Sequence, residues 1–154
     1  MEAFHLNLLR TQYADRLVLR AVVEIRNRNY EVAWELLEEA HVFAQPDSKS
    51  HFYVHWNMLW LAQKTKDKRE VWGQFVRLLL SIPSSVLRKY PEGNNGRSNI
   101  GLFTPMKLSQ RNEKKLDKLN RLEAQRREEE KRHLTVVQRP PRLQINNVKA
   151  KRKN

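Results

Sequence analysis

The sequence predicts an all-α protein: four main helices in an up-and-down bundle, a C-terminal strap, and a charged tail that begins as helix and ends in disorder. Three observations carry this. Before Pro83 the chain is broken by Gly or Pro only at Pro46 and Gly73. Apolar residues recur there at intervals of three and four, the period of a helix with one buried face. The segments between these patterns are short and polar, which favours antiparallel neighbours.

The first helix is expected over residues 5–27 and stops at Arg26-Asn27-Arg28-Asn29. The second spans 30–44 and ends at Gln45-Pro46-Asp47-Ser48. The third runs over 49–65, with Asp47 or Ser48 able to accept from its free amides, and the fourth over 68–89, capped by Asp67. After Tyr90, residues 91–99 hold turn formers (Pro91, Gly93, Asn94, Asn95, Gly96), and Ile100, Leu102, Phe103, Pro105 and Met106 follow as a strap able to pack back on the bundle. From Lys107 to His133 charges dominate. Leu116, Leu119 and Leu122 form a thin apolar stripe, and the pairs Glu123/Arg127 and Glu128/Arg132 support a helix. Pro140-Pro141 ends it, ahead of a basic end at 148–153.

The charges divide the chain in two. Residues 1–106 carry fourteen Lys/Arg and eleven Asp/Glu, and residues 107–154 carry sixteen and six, so ten of the thirteen excess positive charges lie in the tail. Every aromatic residue lies before Met106. A helical domain over 1–106 and a basic tail over 107–154 are therefore expected, the tail having too little apolar surface to fold alone.

With no cysteine, disulfides, thiolate zinc sites, iron–sulfur clusters and thiol nucleophiles are excluded. The N-terminus lacks a signal-peptide pattern, and the apolar run from Val76 to Ile82 is interrupted by Arg77, so a soluble cytoplasmic protein is expected.

Between Glu38 and Gln74 the side chains able to hold a metal occur in pairs at helical spacing. Glu38 and His41 are three apart, His51 and His55 four, and Glu70 and Gln74 four, so each pair shares a helix face. Projected at about 100° per residue, His51 and His55 fall in the buried stripe of the third helix with Val54, Met58 and Ala62. His41 lies on the edge of the second helix's apolar face, with Glu38 and Gln45 beyond it. On the fourth helix Glu70, Gln74, Arg77 and Ser81 make one polar stripe, either a wet surface or an inward face, with Gly73 beside it permitting a close helix contact.

Neutral imidazole and carboxylate suit zinc, iron or manganese. The expectation is one mononuclear divalent site with Glu38, His41, His51, His55 and Glu70 as candidate ligands, Glu24 a further option, Gln45 and Gln74 as orienting groups, and Arg77 holding Glu70. Glu-x-x-His is half of a carboxylate-bridged di-iron motif, but a second copy is missing. An open coordination position could support hydrolysis or oxygen chemistry. No His-Glu-x-x-His or nucleophile elbow is present, so no reaction is assigned.

The same motifs, taken in order, are Leu37-Glu38-Glu39-Ala40-His41 to Gln45, His51-x-x-x-His55-Trp56-x-Met58-Leu59, Glu70-x-x-Gly73-Gln74-x-x-Arg77, Gly93-Asn94-x-Gly96 and Pro105-Met106. With them the chain resembles the short bacterial family called domain of unknown function 3703, over roughly residues 5–106. The resemblance implies that these Glu, His, Gln and Arg positions are the family's signature, and it brings no activity. It departs at Phe43-Ala44-Gln45, where Leu-Gly-Gln is usual. Asn29-Tyr30 with Ala33, Leu37, Ala40 and Pro46 resembles half of a tetratricopeptide repeat, with no clear second copy at thirty-four residues.

Two other readings follow. One takes the chain as a metal-free scaffold whose polar residues bond one another, meeting a protein partner or itself through Tyr53, Trp56 and Trp60. Alternatively the 107–154 tail binds nucleic acid or another polyanion, without base stacking for lack of aromatics. Membrane binding is not expected of its narrow apolar stripe. Gly93-Asn94-Asn95-Gly96-Arg97-Ser98 lacks the Lys-Ser/Thr of a P-loop, so no nucleotide is expected, and Trp34, Trp56, Trp60 and Trp72 are read as packing.

Overall fold

The computed structural model describes residues 8–86, 91 and 93–137, without the side chains of 81–86, 136 and 137. It contains α1 (Leu8–Arg26), α2 (Tyr30–Ala44), α3 (Ser48–Lys64), α4 (Lys68–Val86) and α5 (Gln110–Val137), and no strand among the described residues. The all-α expectation is met. The helix start near residue 5, the end of the fourth helix at 89, the stop at Pro140-Pro141, the basic end and the disordered end lie outside the described residues.

Local chemistry sets the boundaries. The Asp47 carboxylate accepts from the Ser50 amide at 2.8 Å to start α3, and Asp67 accepts from the Glu70 amide at 3.0 Å to start α4. The turns after α1 and α3 are copies of one another. Arg28 and Lys66 both take up left-handed backbone (φ 64° and 56°). Around Arg28, Asn29 N–H donates to Glu24 C=O and Arg28 N–H to Ile25 C=O, and around Lys66, Asp67 N–H donates to Ala62 C=O and Lys66 N–H to Gln63 C=O. This paired closure usually places Gly at the left-handed position. Here non-glycine residues bear a cost of about 1 kcal/mol each, offset by the packing of the hairpins they close.

α1 packs chiefly on α2 and α3 on α4, and the two hairpins meet through α2 with α3 and, less extensively, α1 with α3. This is the stacked, tetratricopeptide-like form of the expected bundle; α4 does not close a ring against α1. Small residues allow the close approach: Ala14, Ala21, Ala33, Ala40, Ala44 and Ala62 are fully buried. Around them Leu37, Phe43, Val54, Met58 and Leu61 fill the core, each contributing about 1.5–3 kcal/mol by leaving water.

Because α2 and α4 flank α3 without packing closely on one another, a groove lies between them, and the strap that begins at Pro91 occupies it. Five of its carbonyls accept from four helix side chains. Gln45 donates to Pro91, His41 to Asn94, Gln74 to Gly96, and Arg77 to both Arg97 and Ile100. A loop buried in a groove must have its backbone groups satisfied, and these side chains do it.

The start of α5 also packs on the body. Leu108, Leu116 and Leu119 lie against the core, and the buried Glu123 accepts from the Leu9 amide at the start of α1 (2.9 Å). Lys115 donates to the Tyr13 hydroxyl, which itself donates to Glu39. The compact unit that holds the four helices runs to Glu123, and residues from Ala124 form a second unit. Within that second unit α5 continues to Val137, with Lys131 pairing Glu128 at 3.5 Å and Arg132 donating to the Glu128 carbonyl. No described helix is long and apolar enough to cross a membrane.

Candidate metal centre

The polar stripe of α4 faces inward. Glu70, Gln74 and Arg77 are all buried, as are His41 on α2 and His51 and His55 on α3. The three histidines converge on one point. Nε2 of His41 lies 2.9 Å from that of His51 and 3.1 Å from that of His55, and the last two are 3.2 Å apart. Among the described residues no other group of three His, Cys, Asp or Glu side chains is gathered closely enough to hold a metal.

The outer nitrogens determine what the inner ones can do. Nδ1 of His41 sits 2.7 Å from the Asn94 carbonyl, which can only accept, so Nδ1 carries the proton and Nε2 a bare lone pair. Nδ1 of His55 sits 2.8 Å from Oε1 of Gln74. The Gln74 amide cannot be turned the other way, because its nitrogen donates to Glu70 Oε1 and to the Gly96 carbonyl, both at 2.8 Å. His55 is therefore the same tautomer as His41. At least two lone pairs point at one another across about 3 Å, which is unfavourable without a cation or a proton between them.

Both rings are held neutral. His41 is pushed well below the usual imidazole range first by burial and then by His55, His51 and Arg77, and His55 by burial, His51 and Arg77. Neutral imidazole is the ligating form. Tetrahedral zinc with bonds of about 2.0–2.1 Å separates its nitrogens by roughly 3.3–3.4 Å. The separations here fall a few tenths of an ångström short, so slight spreading of the rings would suit an ion.

The two carboxylates expected as ligands are employed elsewhere. Glu70 accepts from Gln74, from the Ser98 amide and from the Ser98 hydroxyl, and its cation is Arg97 at 3.4 Å. Glu38 accepts from Asn95 and pairs Arg97 at 3.2 Å, and burial raises its pKa. Glu24 accepts from Asn29 at the first hairpin turn. The structure thus brings His41, His51 and His55 together and leaves Glu24, Glu38 and Glu70 out of that group.

Arg77 also differs from expectation, since its hydrogen bonds go to the Arg97 and Ile100 carbonyls and not to Glu70. Arg77 lies seven residues, about two turns, beyond Glu70 and reaches the strap backbone, so Glu70 acts on it only through charge while Arg97 makes the ion pair. Arg97 lies between both carboxylates with its guanidinium 3.8 Å above the Trp34 ring.

Spacing in the sequence did not reveal the strap's part. Asn94 is fully buried; its amide nitrogen donates to the Gly101 and Thr104 carbonyls, and its side-chain oxygen accepts from the Gly96 amide. Gly96 has φ +80°, and a Cβ there would meet the His41 ring at 2.8 Å. Gly73 makes room for Ser98 of the strap, 2.3 Å from a Cβ built on it, where a helix contact was expected. The Gly93-Asn94-x-Gly96 motif was the available signal, and as a sequence it reads only as a turn.

The family model described as "Protein of unknown function (DUF3703)" matches residues 8–116. No curated protein and no solved structure matches.

Proposed function

We propose that this chain, which belongs to the DUF3703 family, binds one divalent metal ion through Nε2 of His41, His51 and His55. A single observation carries the reading: three buried Nε2 atoms within 3.2 Å of one another, at least two of them held as bare lone pairs by carbonyl acceptors on the far side of the ring. Such backing through Nδ1–H is the usual support of a ligating histidine and raises its basicity.

Of zinc, iron and manganese, zinc suits the donor set best. Iron sites commonly include a carboxylate and manganese sites favour oxygen, whereas these donors are all imidazole. Three protein ligands leave a fourth position for water or an added group, the ligand count of reactive zinc centres. Glu70 acts through Gln74, and Glu38 through Asn95 and Arg97, to hold the strap that supports the site.

Elemental analysis of the chain purified without chelator, beside His51→Ala/His55→Ala, tests this. One zinc per chain is expected in the parent and none in the variant. Added zinc should also raise the melting temperature of the metal-stripped parent, by an amount equivalent to about 2.7 kcal/mol at 100 times Kd. No metal in the parent and no shift with zinc, iron or manganese would leave the cluster as metal-free polar packing in a scaffold.

A further inference from the structure

The outward side of the α3–α4 hairpin is apolar where a helical stack normally ends in polar residues. On α4, Trp72 is 68% exposed, Leu79 65% and Phe75 46%; on α3, Trp56 is 55% exposed, Tyr53 42% and Phe52 38%. Trp72 and Phe75 stack on each other at 5.8 Å. Projected around the helix, Phe75 lies between the side of α4 that meets α3, marked by the core-facing Val71 and Leu78, and the outermost Trp72 and Leu79. By the same projection Phe52 and Trp56 continue the surface on α3. Trp60, one of three aromatics expected at a contact surface, is half-buried against the core, with Lys64 over its ring.

These six side chains expose roughly 700 Å², above the 300–600 Å² of the largest apolar patch on a typical monomer and close to the roughly 800 Å² that one partner contributes to a standard interface. Between Lys49 and Lys64 α3 has no Lys, Arg, Asp or Glu, and the α4 charges between Arg69 and Leu80, Glu70 and Arg77, are both buried. The middle of the face is therefore free of charge, as the centre of a well-packed interface should be.

We infer that this face pairs with the same face of a second copy of the chain, about a twofold axis perpendicular to the two helices. The charges select that axis. The exposed cations Lys64, Lys66, Lys68 and Arg69 gather at the α3–α4 turn, and a perpendicular twofold sends the two clusters to opposite ends of a helix about 25 Å long. That exceeds the screening length of about 8 Å in physiological salt. Each cluster then meets an end of the partner's face at which Lys49 is the one cation among the described residues. The pairing leaves the histidines in each copy's interior, so it stands or falls apart from the metal reading.

Sedimentation equilibrium of the full chain, beside Trp56→Glu and Trp72→Glu, provides the test. A dimeric parent is expected, with its dissociation constant raised at least about 100-fold in each variant. Trp72 is the more exposed of the two, so Trp72→Glu should keep the parent's helical circular dichroism if Trp56→Glu does not. A parent that remains monomeric, or a dimer indifferent to Trp72→Glu, overturns the proposal. So does a monomer that co-sediments with phosphatidylserine vesicles, which would assign the aromatic face and its basic fringe to a lipid surface.

Discussion

At the residue scale, Gln74 is the link on which the histidine cluster depends. It accepts from His55 with one end of its amide and with the other donates to Glu70 and to the strap at Gly96, so it fixes both a tautomer and a loop. Gln74→Leu keeps about the same volume and removes all three bonds. Zinc affinity, measured against a competing chelator, is expected to fall 10- to 100-fold. Thermal melts should show a loss of about 1–3 kcal/mol from the unsatisfied groups left behind. Unchanged zinc affinity in a folded variant would remove Gln74 from the supporting role. His51 and His55 were legible in the sequence because a spacing of four on an apolar helix face leaves them nowhere to point but inward. The exclusion of Glu38 and Glu70 was not, because a carboxylate at the edge of a stripe can turn toward an ion or toward a loop. Asn94, Asn95, Arg97 and Ser98, the groups that decide it, are distant in sequence.

At the scale of elements, the strap and the histidine cluster are fastened by the same side chains. His41 and Gln74 face the candidate ion or its ligand on one side and a strap carbonyl on the other, and Gly96 lies so close to the His41 ring that a Cβ would meet it. If the proposed ion is bound, stripping it brings bare lone pairs face to face, and a ring turning to escape that contact must release its strap carbonyl. Hydrogen exchange should therefore show the amides of Gly96, Arg97 and Ser98, bonded to Asn94, Asn95 and Glu70, losing protection on chelation while α1 to α4 keep theirs. Equal protection with and without metal would show that the strap docks independently of the ion. The helices and their order were readable from periodicity. A strap was expected from its apolar residues, but Phe103 and Pro105 are exposed and polar bonds to its carbonyls seat it between α2 and α4, where nothing local in the sequence indicates that α4 stands apart from α2.

For the whole molecule, the buried histidines make stability depend on pH with a definite sign. His41 and His55 are held neutral well below their unfolded value of 6.5, so on acidification the unfolded chain takes up protons that the folded chain refuses. Their contribution is complete above pH 6.5 and is lost as pH falls below it, at up to about 1.4 kcal/mol per pH unit for each histidine. Denaturant melts of the metal-free protein between pH 7.5 and pH 5 should show this decline, and His41→Gln should flatten it. A parent equally stable throughout that range would mean that the rings protonate in place. Zinc held as proposed would steepen the dependence, because protons would compete for the same nitrogens.

Residue order alone determined the helical class, the four-helix body, the cap at Asp67, a cap at Asp47 or Ser48 for α3 and the inward aim of His51 and His55. All of these follow from interactions within a few residues, where the 3.6-residue period and the first free amides of a helix leave little choice. Tertiary structure decided that the helices stack as two hairpins, that His41 joins the other two at 2.9–3.1 Å, and that the neighbouring carboxylates serve the strap. It also decided that the α3–α4 hairpin keeps an uncovered aromatic face. Each of these depends on which surfaces meet across long stretches of chain, and there a competition for buried hydrogen bonds and apolar area, which no local pattern encodes, selects the arrangement.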